Sequence, residues 1–275
     1  MAKLKIGVLY VVGTPIGNLR DFSPRAVETL TDADFIAAED TRVTRKLLTH
    51  FDIHTPMISY YEHNKMERGP EIVARIQNGE SCALVTDAGM PAISDPGQDL
   101  VDRCLRAGLP VVSVPGPTAF ATAVALSGMD STRFTFVGFL AVEKKKRREQ
   151  LDFIKKQTCT VVLYEAPHKL SATLQDLYAA LGDRQMTILR ELTKVHEDII
   201  RLSLAEAVER YPKNNLRGEL VLVLEGGPDE KQKPTLEDAV ERARYFMENG
   251  MAASAAAKLA AKESGIKKGD IYRNL

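Results

Sequence analysis

The sequence predicts an α/β fold of two α/β domains followed by a small helical tail. Short apolar runs alternate with helix-period segments as far as Ser127, and the later runs lie closer together with a more alternating character. A stretch of Gly, Pro, Lys and Glu, "GGPDEKQKP", then separates these runs from an alanine-rich tail. These observations place the domains at 1–127 and 128–227 and the helical tail at 235–275.

The first domain is predicted to hold a parallel sheet covered on both faces. Five apolar runs are interpreted as strands, namely "VLYVV", "DFIAAED", "MISYY", "SCALVT" and "LPVVSVPG". The helix-period segments that follow them are "SPRAVETL", "TRKLLTHF", "NKMERGPEIVARIQNG", "GQDLVDRCLRAG" and "TAFATAVALSG". Ser23 is placed to cap the first helix, with Pro24 at its first position. Such alternation, with strands apolar on both sides, is typical of a buried parallel sheet.

The second domain is predicted to contain a mixed sheet, because its strands are closer together and more alternating. Its strands are "FTFVGFL", "TVVLYEAP", "MTILREL", "HEDIIRLSL" and "ELVLVLEGG". Its helices are the charged "AVEKKKRREQLDFIKKQ", a segment from His168 to Leu181, and one that ends near Tyr211. In the tail, an alanine-rich helix, a turn at Gly265 and a short second helix have helix-turn-helix-like spacing. A helical hairpin with a solvated face explains the same pattern.

Composition excludes several classes of protein. The chain has 275 residues, 44% hydrophobic and 27% charged, with a net charge of zero, so it is not basic all over, although a local basic patch remains compatible. Cys82, Cys104 and Cys159 have no metal-ligand spacing and are expected to be buried thiols in a reducing compartment. No run approaches the roughly 20 apolar residues of a membrane span. We therefore expect a cytoplasmic protein with no membrane segment and no metal site.

Three strand-end loops rich in Gly and Pro are the first candidate site. They are "VVGTPIGN" (Val11 to Asn18), "VTDAGMPAISDPG" (Val85 to Gly97) and "VPGPTAF" (Val114 to Phe120). Ligands of open α/β sheets bind outside the carboxyl ends of the strands, where all three loops lie. The first loop lacks the G-x-G-x-x-G pattern, which argues against a nicotinamide dinucleotide site.

The middle loop has the composition of a backbone cradle. Gly89 leaves room for a ligand beside the main chain, Pro91 and Pro96 stiffen the loop, and Asp87 can accept a hydrogen bond from a hydroxyl or amine. The alternative is a long rigid connection in which Asp95 caps the next helix.

Charged residues also follow several strands. In "AAEDTRVTRK", Glu39 and Asp40 precede Arg42, Arg45 and Lys46. This segment is either a helix cap with a solvated face or a pair of proton acceptors beside cations that hold phosphate. "YEAPHK" and "RELTK" end strands of the second domain, which indicates a cleft shared by the two domains.

The order and spacing of these motifs resemble one known family. "TPIGNL", "AAEDTR", "DAGMPAISDPG", "VPGPTA", "GFL", "YEAPHK", "RELTK" and "GELVLVLEG" occur as in the tetrapyrrole (corrin/porphyrin) methylase superfamily, in its bacterial group that methylates small-subunit ribosomal RNA. The resemblance runs from about Leu9 to Gly226, and the tail is similar to the C-terminal segment of that group. Met90 stands where the group usually has Thr, and Ala92 where it has a bulkier apolar residue.

The resemblance implies S-adenosylmethionine-dependent 2'-O-methylation of a decoding-centre cytidine in 16S ribosomal RNA. The partner would be the RNA or the small ribosomal subunit, and the protein would be a homodimer with the cofactor between its two domains. The alternative is a C-methyltransferase of the same fold acting on a tetrapyrrole or corrin precursor, against which the basic segments argue. Matching the superfamily's cofactor positions onto this chain gives Pro15, Asp87, Ala88, Gly89, Ala92, Thr118, Ala119, Glu165 and Leu192.

Such a reaction needs a base for the ribose hydroxyl. The candidates are Glu39, Asp40, Asp87 and Lys194, of which the first two are favoured because "AAEDTR" belongs to this group. Lys194 would serve only if neighbouring cations depress its pKa, and each acid can instead pair with Arg42 or Arg190.

Phosphate contacts are expected from the cations between the domains and in the tail. From Lys231 to Leu275 nine Lys and Arg face six Asp and Glu, a net charge of +3. The predicted RNA-binding residues are Arg42, Lys144, Lys145, Lys146, Arg147, Arg148, Lys267 and Lys268.

Overall fold

The chain forms two compact units, Met1–Gly227 and Pro228–Leu275. The structure, a computed structural model, describes residues 7–213, 216–228 and 235–275. Most of the predicted linker, 229–234, therefore lies outside the described residues. The first unit contains both sheets, and the part of the second unit that the structure describes, Pro228 and 235–275, contains helices and no strand.

The first sheet is parallel, with strand order β3-β2-β4-β1-β5. Its strands are β1 Leu9–Val12, β2 Phe35–Ala38, β3 Met57–Ser59, β4 Cys82–Val85 and β5 Val111–Val114. The helices between and after them are α1 Pro24–Asp32, α2 Thr41–His50, α3 Lys65–Gln77, α4 Gln98–Arg106 and α5 Ala119–Ser127. Successive residues of one strand enter different apolar clusters, as Ala37 and Ala38 do, so the sheet is buried on both faces.

The second sheet is mixed, with strand order β6-β7-β10-β8-β9. Only β6 and β7 pair in parallel, and the other neighbours are antiparallel. The strands are β6 Phe134–Phe139, β7 Thr160–Glu165, β8 Gln185–Arg190, β9 Asp198–Ser203 and β10 Leu220–Leu224. The helices are α6 Lys144–Lys155, α7 Leu170–Leu181 and α8 Leu204–Arg210. The predicted fold class, one parallel and one mixed sheet followed by C-terminal helices, is confirmed.

Local sequence signals account for some helix ends and not for others. Ser23 caps α1 as predicted, its hydroxyl accepting from the Ala26 N–H at 3.1 Å, and Pro24 is the first helical residue. Asp95 does not cap the next helix, because α4 begins at Gln98 with Gly97 as its cap residue. The capping interpretation of Asp95 was therefore wrong, and its carboxyl group is available to the site described below.

The tail packs around alanines. It comprises α9 Leu236–Glu248, α10 Ala253–Ser264 and α11 Lys268–Arg273. Its core residues are Ala239, Val240, Ala243, Ala256, Ala257, Ala260 and Ile271. The small side chains let the helices approach closely, and Gly265, with φ of 72°, ends α10 at the turn that the sequence predicted.

Candidate active site

The three glycine- and proline-rich loops meet at one edge of the first sheet. They follow β4, β1 and β5, which are neighbours in that sheet. The Thr14 N–H donates to the Gly89 carbonyl at 2.9 Å, and the Gly89 N–H returns a bond to Thr14 at 3.1 Å. A Cβ added to Gly13 would lie 2.6 Å from the Gly116 Cα, so glycine is required where the first and third loops touch. The loops thus form one continuous backbone surface.

This surface is one wall of a cleft of about 320 Å³, and the second sheet supplies the opposite wall. The lining residues are Ile16, Ala88, Gly89, Met90, Ile93, Ser94, Asp95, Thr118, Ala119, Phe120, Phe139, Tyr164, Glu165, Ala166, Pro167, Leu192, Glu219, Leu220 and Val221. Six predicted cofactor residues are among them, namely Ala88, Gly89, Thr118, Ala119, Glu165 and Leu192. The size and largely apolar lining suit a small-molecule ligand.

The other three predicted cofactor residues lie elsewhere. Pro15 and Asp87 line a second cavity, described below. Among the described residues Ala92 lines neither cavity, and its N–H donates to the Pro96 carbonyl at 3.4 Å, inside the loop.

Backbone strain is concentrated in the two walls of the cleft. Ala92 and Ser94 have φ of 68° and 66° in the loop after β4, and Glu191 and Thr193 have φ of 52° and 68° after β8. A left-handed conformation costs a non-glycine residue roughly 1–2 kcal/mol. Strain of this kind persists where the surrounding structure fixes it, and it is common at binding sites.

An acidic cluster lies behind the middle loop. The Thr86 hydroxyl donates to Glu39 Oε2 at 2.5 Å, and the Asp87 N–H points to the same oxygen at 3.4 Å. The Asp40 N–H in turn donates to Asp87 Oδ1 at 3.1 Å. Glu39 therefore holds the end of β4 in place, and the backbone N–H of Asp40 orients the Asp87 carboxylate.

Two carboxyl groups of the middle loop, those of Asp87 and Asp95, have raised pKa values. Burial, followed by repulsion from Glu39, raises the pKa of Asp87, and the same two causes raise the pKa of Asp95 to about 6. Asp95 lines the cleft and was missed as a site residue, because its burial depends on how the loop folds. Its position in the same loop as Asp87 was the one signal in the sequence that could have identified it.

Replacing Asp95 by Asn should stabilise the protein at neutral pH. Because burial raises the folded-state pKa from 3.8 to about 6, the folded state binds the proton more tightly than the unfolded state. Wild-type stability therefore falls as the pH rises between these two values. Thermal melts should show a higher Tm for Asp95→Asn at about pH 7.5 and almost no difference at about pH 4. An Asn variant less stable than wild type at the higher pH would contradict the burial argument.

Asp40 is engaged with Arg42. Their side chains approach to 2.6 Å between Nη2 and Oδ2, and Asp40 also caps α2 by accepting from the Arg42 N–H at 2.8 Å. The hydrogen bond from the Arg42 side chain lowers the pKa of Asp40 to about 2, which makes it a weak base. This geometry matches the alternative in which Asp40 is a structural partner of Arg42.

The surroundings of Lys194 keep it positively charged. Its Nζ lies 2.9 Å from Glu191 Oε1 and 3.2 Å from Glu219 Oε2. Burial by itself lowers the Lys194 pKa, but the hydrogen bonds to these two carboxylates outweigh it, and the pKa is raised. The condition under which Lys194 would act as a base, neighbouring cations, is therefore not met.

A second cavity, of about 340 Å³, adjoins the cleft and shares Ile16, Ala88 and Glu219 with it. The lining residues are Pro15, Ile16, Gly17, Leu19, Val43, Thr44, Lys46, Leu47, Thr86, Asp87, Ala88, Lys194 and Glu219. Apolar side chains, two lysines and the carboxylates of Asp87 and Glu219 thus line the same cavity. The buried Thr44 hydroxyl has no hydrogen-bond partner among the described residues.

The cations predicted to bind RNA are mostly exposed. Seven of the eight are exposed, namely Arg42, Lys144, Lys145, Lys146, Arg148, Lys267 and Lys268. Lys146 pairs with Glu143 at 3.2 Å, and Lys268 donates to the Ser254 hydroxyl at 2.9 Å. Arg147 differs, since its side chain is only 18% exposed and turns inward to Asp176.

The part of the chain that the structure describes contains no metal-ligand cluster and no membrane-spanning helix. In 7–213, 216–228 and 235–275, no three His, Cys, Asp or Glu side chains come together as a metal site. Over the same ranges no helix is both long and apolar enough to cross a bilayer.

Comparison with known proteins gives consistent results. The model of the tetrapyrrole (corrin/porphyrin) methylase family matches residues 8–208. The chain is 45% identical over 270 residues to "Ribosomal RNA small subunit methyltransferase I" of Synechocystis sp., covering 98% of this chain and 97% of that protein. It is 41% identical to the protein of the same name from Bacillus subtilis, covering 98% and 94% of the two chains.

Solved structures share the fold at low sequence identity. Diphthine synthase superimposes with a TM-score of 0.62 at 14% identity, covering 80% of this chain and 90% of that one. Uroporphyrin-III C-methyltransferase from Thermus thermophilus, solved with S-adenosylhomocysteine, gives a TM-score of 0.57 at 18% identity, covering 80% and 97%.

The comparisons establish the family and its chemistry. Near-full-length identity above 40% to curated relatives, together with a family match over most of the chain, exceeds what a shared fold alone would produce. The expected S-adenosylmethionine dependence is confirmed for this family of methylases. The chain belongs to the tetrapyrrole (corrin/porphyrin) methylase family, in its group of small-subunit ribosomal RNA methyltransferases I.

Proposed function

We propose that the protein methylates the ribose 2'-hydroxyl of a decoding-centre cytidine in 16S ribosomal RNA. The observation that carries this proposal is the pair of adjoining cavities, one bordered by glycine-rich loops and the other lined by two lysines and two carboxylates. Relatives from Synechocystis sp. and Haemophilus influenzae that are named for ribosomal RNA methylation are 45% and 38% identical, whereas the solved cobalt precorrin-4 methyltransferase and uroporphyrin-III C-methyltransferase are 18% and 17% identical. The RNA substrate is therefore favoured over a tetrapyrrole or corrin precursor.

The first cavity is proposed to hold the cofactor. Its volume of about 320 Å³ is within the range of small-molecule sites, and Gly89, which has no side chain, lines it. Glu165, only 4% exposed, lines the opposite wall, and its carboxylate oxygens, each of which already accepts one hydrogen bond, are proposed to accept a further one from a ribose hydroxyl. When bound, S-adenosylmethionine supplies a methyl group already activated on a sulfonium. The residues of this chain then have two tasks, alignment and proton removal.

Asp87 is the proposed base for the ribose hydroxyl. It lines the second cavity next to Ala88, which lines both cavities, so its carboxylate lies where the two ligands would meet. Its raised pKa brings it closer to the acidity of an effective base than Asp40, whose pKa is about 2. Glu39 supports the loop from behind, and Lys194 contributes a positive charge.

The second cavity is proposed to receive the target nucleotide. Leu19, Val43 and Leu47 offer an apolar surface for the base, and Lys46 offers a cation for the phosphate. A nucleotide within a helix cannot reach such a cavity, so it would enter unstacked from its neighbours. A ribose held against the shared wall at Ala88 would lie beside the cofactor cleft.

The exposed cations are proposed to hold the flanking RNA backbone. Lys144, Lys145 and Arg148 lie on the exposed face of α6, and the tail carries a net positive charge. A relative from Thermotoga maritima matches only 80% of this chain with 99% of its own length. Because both cavities lie in the first unit and the tail carries a net positive charge, the tail is proposed to strengthen RNA binding and the chemistry is proposed to reside in the first unit.

A second copy of the chain is the proposed partner of the α5 face. α5 has no charged residue, and Leu126 and Phe134 are exposed on and beside it, with the Phe134 ring 6.2 Å from that of Phe120. Uncovered apolar surface of this kind is typical of an interface. Sedimentation of the full chain as a monomer at micromolar concentration would contradict a homodimer.

Methylation mapped on RNA tests the proposed function. Purified protein, labelled S-adenosylmethionine and 16S RNA or small subunits lacking the modification should give one ribose-methylated cytidine at the decoding centre. The chain ending at Gly227 should give the same site with a weaker apparent affinity for RNA that falls less steeply with salt. Methylation of a base, or of a porphyrin precursor and no RNA, would refute the proposal.

A further inference from the structure

Arg147 lies in the basic run at the start of α6, yet it faces the protein interior. Its Nε donates to Asp176 Oδ2 at 2.6 Å and its Nη2 donates to the Thr173 hydroxyl at 2.9 Å. Its Nη1 also reaches the Ala141 carbonyl at 3.5 Å. Thr173 and Asp176 are three residues apart on α7, so one guanidinium spans both groups on the same face of that helix.

The network continues to the wall of the cofactor cleft. The Thr173 hydroxyl, in a residue 1% exposed, donates to Glu165 Oε2 in a short hydrogen bond. Oε1 of the same carboxylate accepts from the Ala166 N–H at 2.7 Å. Glu165 ends β7 and lines the cleft, so both of its oxygens are held by donors.

The chemistry of the donors gives this chain of contacts a direction. A guanidinium can only donate, so the Thr173 oxygen must accept from Arg147. The single hydrogen of that hydroxyl is then left for Glu165. Without Arg147 the hydroxyl can rotate, and a nearly fully buried carboxylate would lose a fixed donor.

We propose that Arg147 is a positioning residue for the cofactor, acting through Thr173 on the carboxylate of Glu165. This rests on the proposed role of the cleft. This role distinguishes Arg147 from Lys144, Lys145 and Arg148 in the same run. The side chains of those three residues are exposed to solvent, where they can contact RNA. In this proposal the exposed residues of the basic run contact RNA, and Arg147 supports the cofactor site through Thr173 and Glu165.

Calorimetric titration with S-adenosylhomocysteine tests the inference on the full chain. Arg147→Met and Thr173→Val should each weaken binding by about tenfold, as expected when a hydrogen bond to a buried charge is lost. The double variant should be no weaker than either single variant, because both break the same chain of contacts. Lys144→Met and Arg148→Met are matched controls that should bind the nucleoside as wild type does and bind RNA less tightly.

Thr173→Ser separates positioning from packing. Serine keeps the hydroxyl and loses a buried methyl group, so it should lower the Tm and leave nucleoside affinity unchanged. Valine keeps the shape and loses the hydroxyl, so it should weaken nucleoside affinity, and the buried Glu165 carboxylate left without its donor should lower the Tm as well. Wild-type affinity in both Arg147→Met and Thr173→Val would overturn the inference. If the wild-type chain itself fails to bind the nucleoside, the proposed cofactor cleft fails first, and the two failures are distinguished.

Discussion

Gly89→Arg is expected to abolish binding of S-adenosylmethionine while the protein still folds. Gly89 lines the cofactor cleft with φ of 85°, and its N–H and carbonyl are both bonded to Thr14. A Cβ at this position meets Ile16 and the Pro117 carbonyl at 3.5 and 3.6 Å, ordinary contact distances, so the first atom of a side chain fits. The remaining atoms of arginine would extend into the volume that the cofactor needs.

Gly89→Ala is the matched control for backbone strain. Both variants force a side-chain residue into a left-handed conformation at a cost of roughly 1–2 kcal/mol, so they should lose similar thermal stability. Only Arg fills the cleft, so titration calorimetry should find no binding for Arg and a modest loss for Ala. Normal binding by Gly89→Arg would show that the cofactor lies elsewhere.

The fold could be predicted from patterns that act over short distances. Strand and helix periods, the Ser23 cap and the glycine at 265 are local signals, and each has the predicted structure. The three loops could also be predicted to converge, since they follow neighbouring strands of a parallel sheet.

The electrostatics of the site could not be predicted in the same way. The pKa of Asp95 depends on burial and on Glu39, a residue 56 positions away in the sequence. Lys194 was expected to need neighbouring cations, yet its hydrogen-bond partners are carboxylates, one of them from the residue directly before β10. Arg147 is one of five consecutive basic residues, and nothing in the sequence distinguishes it from the others. Its inward orientation depends on the packing of α6 on α7. Tertiary contacts decide these properties.

Asp87→Asn is expected to reduce the methyl-transfer rate by roughly 10²–10⁴-fold, the contribution typical of a positioned base. Asparagine preserves the shape, and its amide oxygen can still accept from the Asp40 N–H, but it cannot take a proton at neutral pH. Rates under single-turnover conditions with saturating cofactor measure this step. Asp40→Asn is the control, and it should cost far less because the Asp40 carboxylate, with a pKa of about 2, is paired with Arg42.

The pH profile and the cofactor affinity decide between two roles for Asp87. A base must be ionised, and the folded-state pKa of Asp87 is raised, so the wild-type rate should fall as the pH falls through that raised value. Asp87→Asn should lose this acid limb and keep the nucleoside affinity within a few-fold of wild type. If Asp87 instead binds the cofactor, the Asp87→Asn variant should bind the nucleoside more weakly and still lose rate as the pH falls. The position of Asp87 in the second cavity, beside Ala88, one of three residues that line both cavities, favours the first outcome.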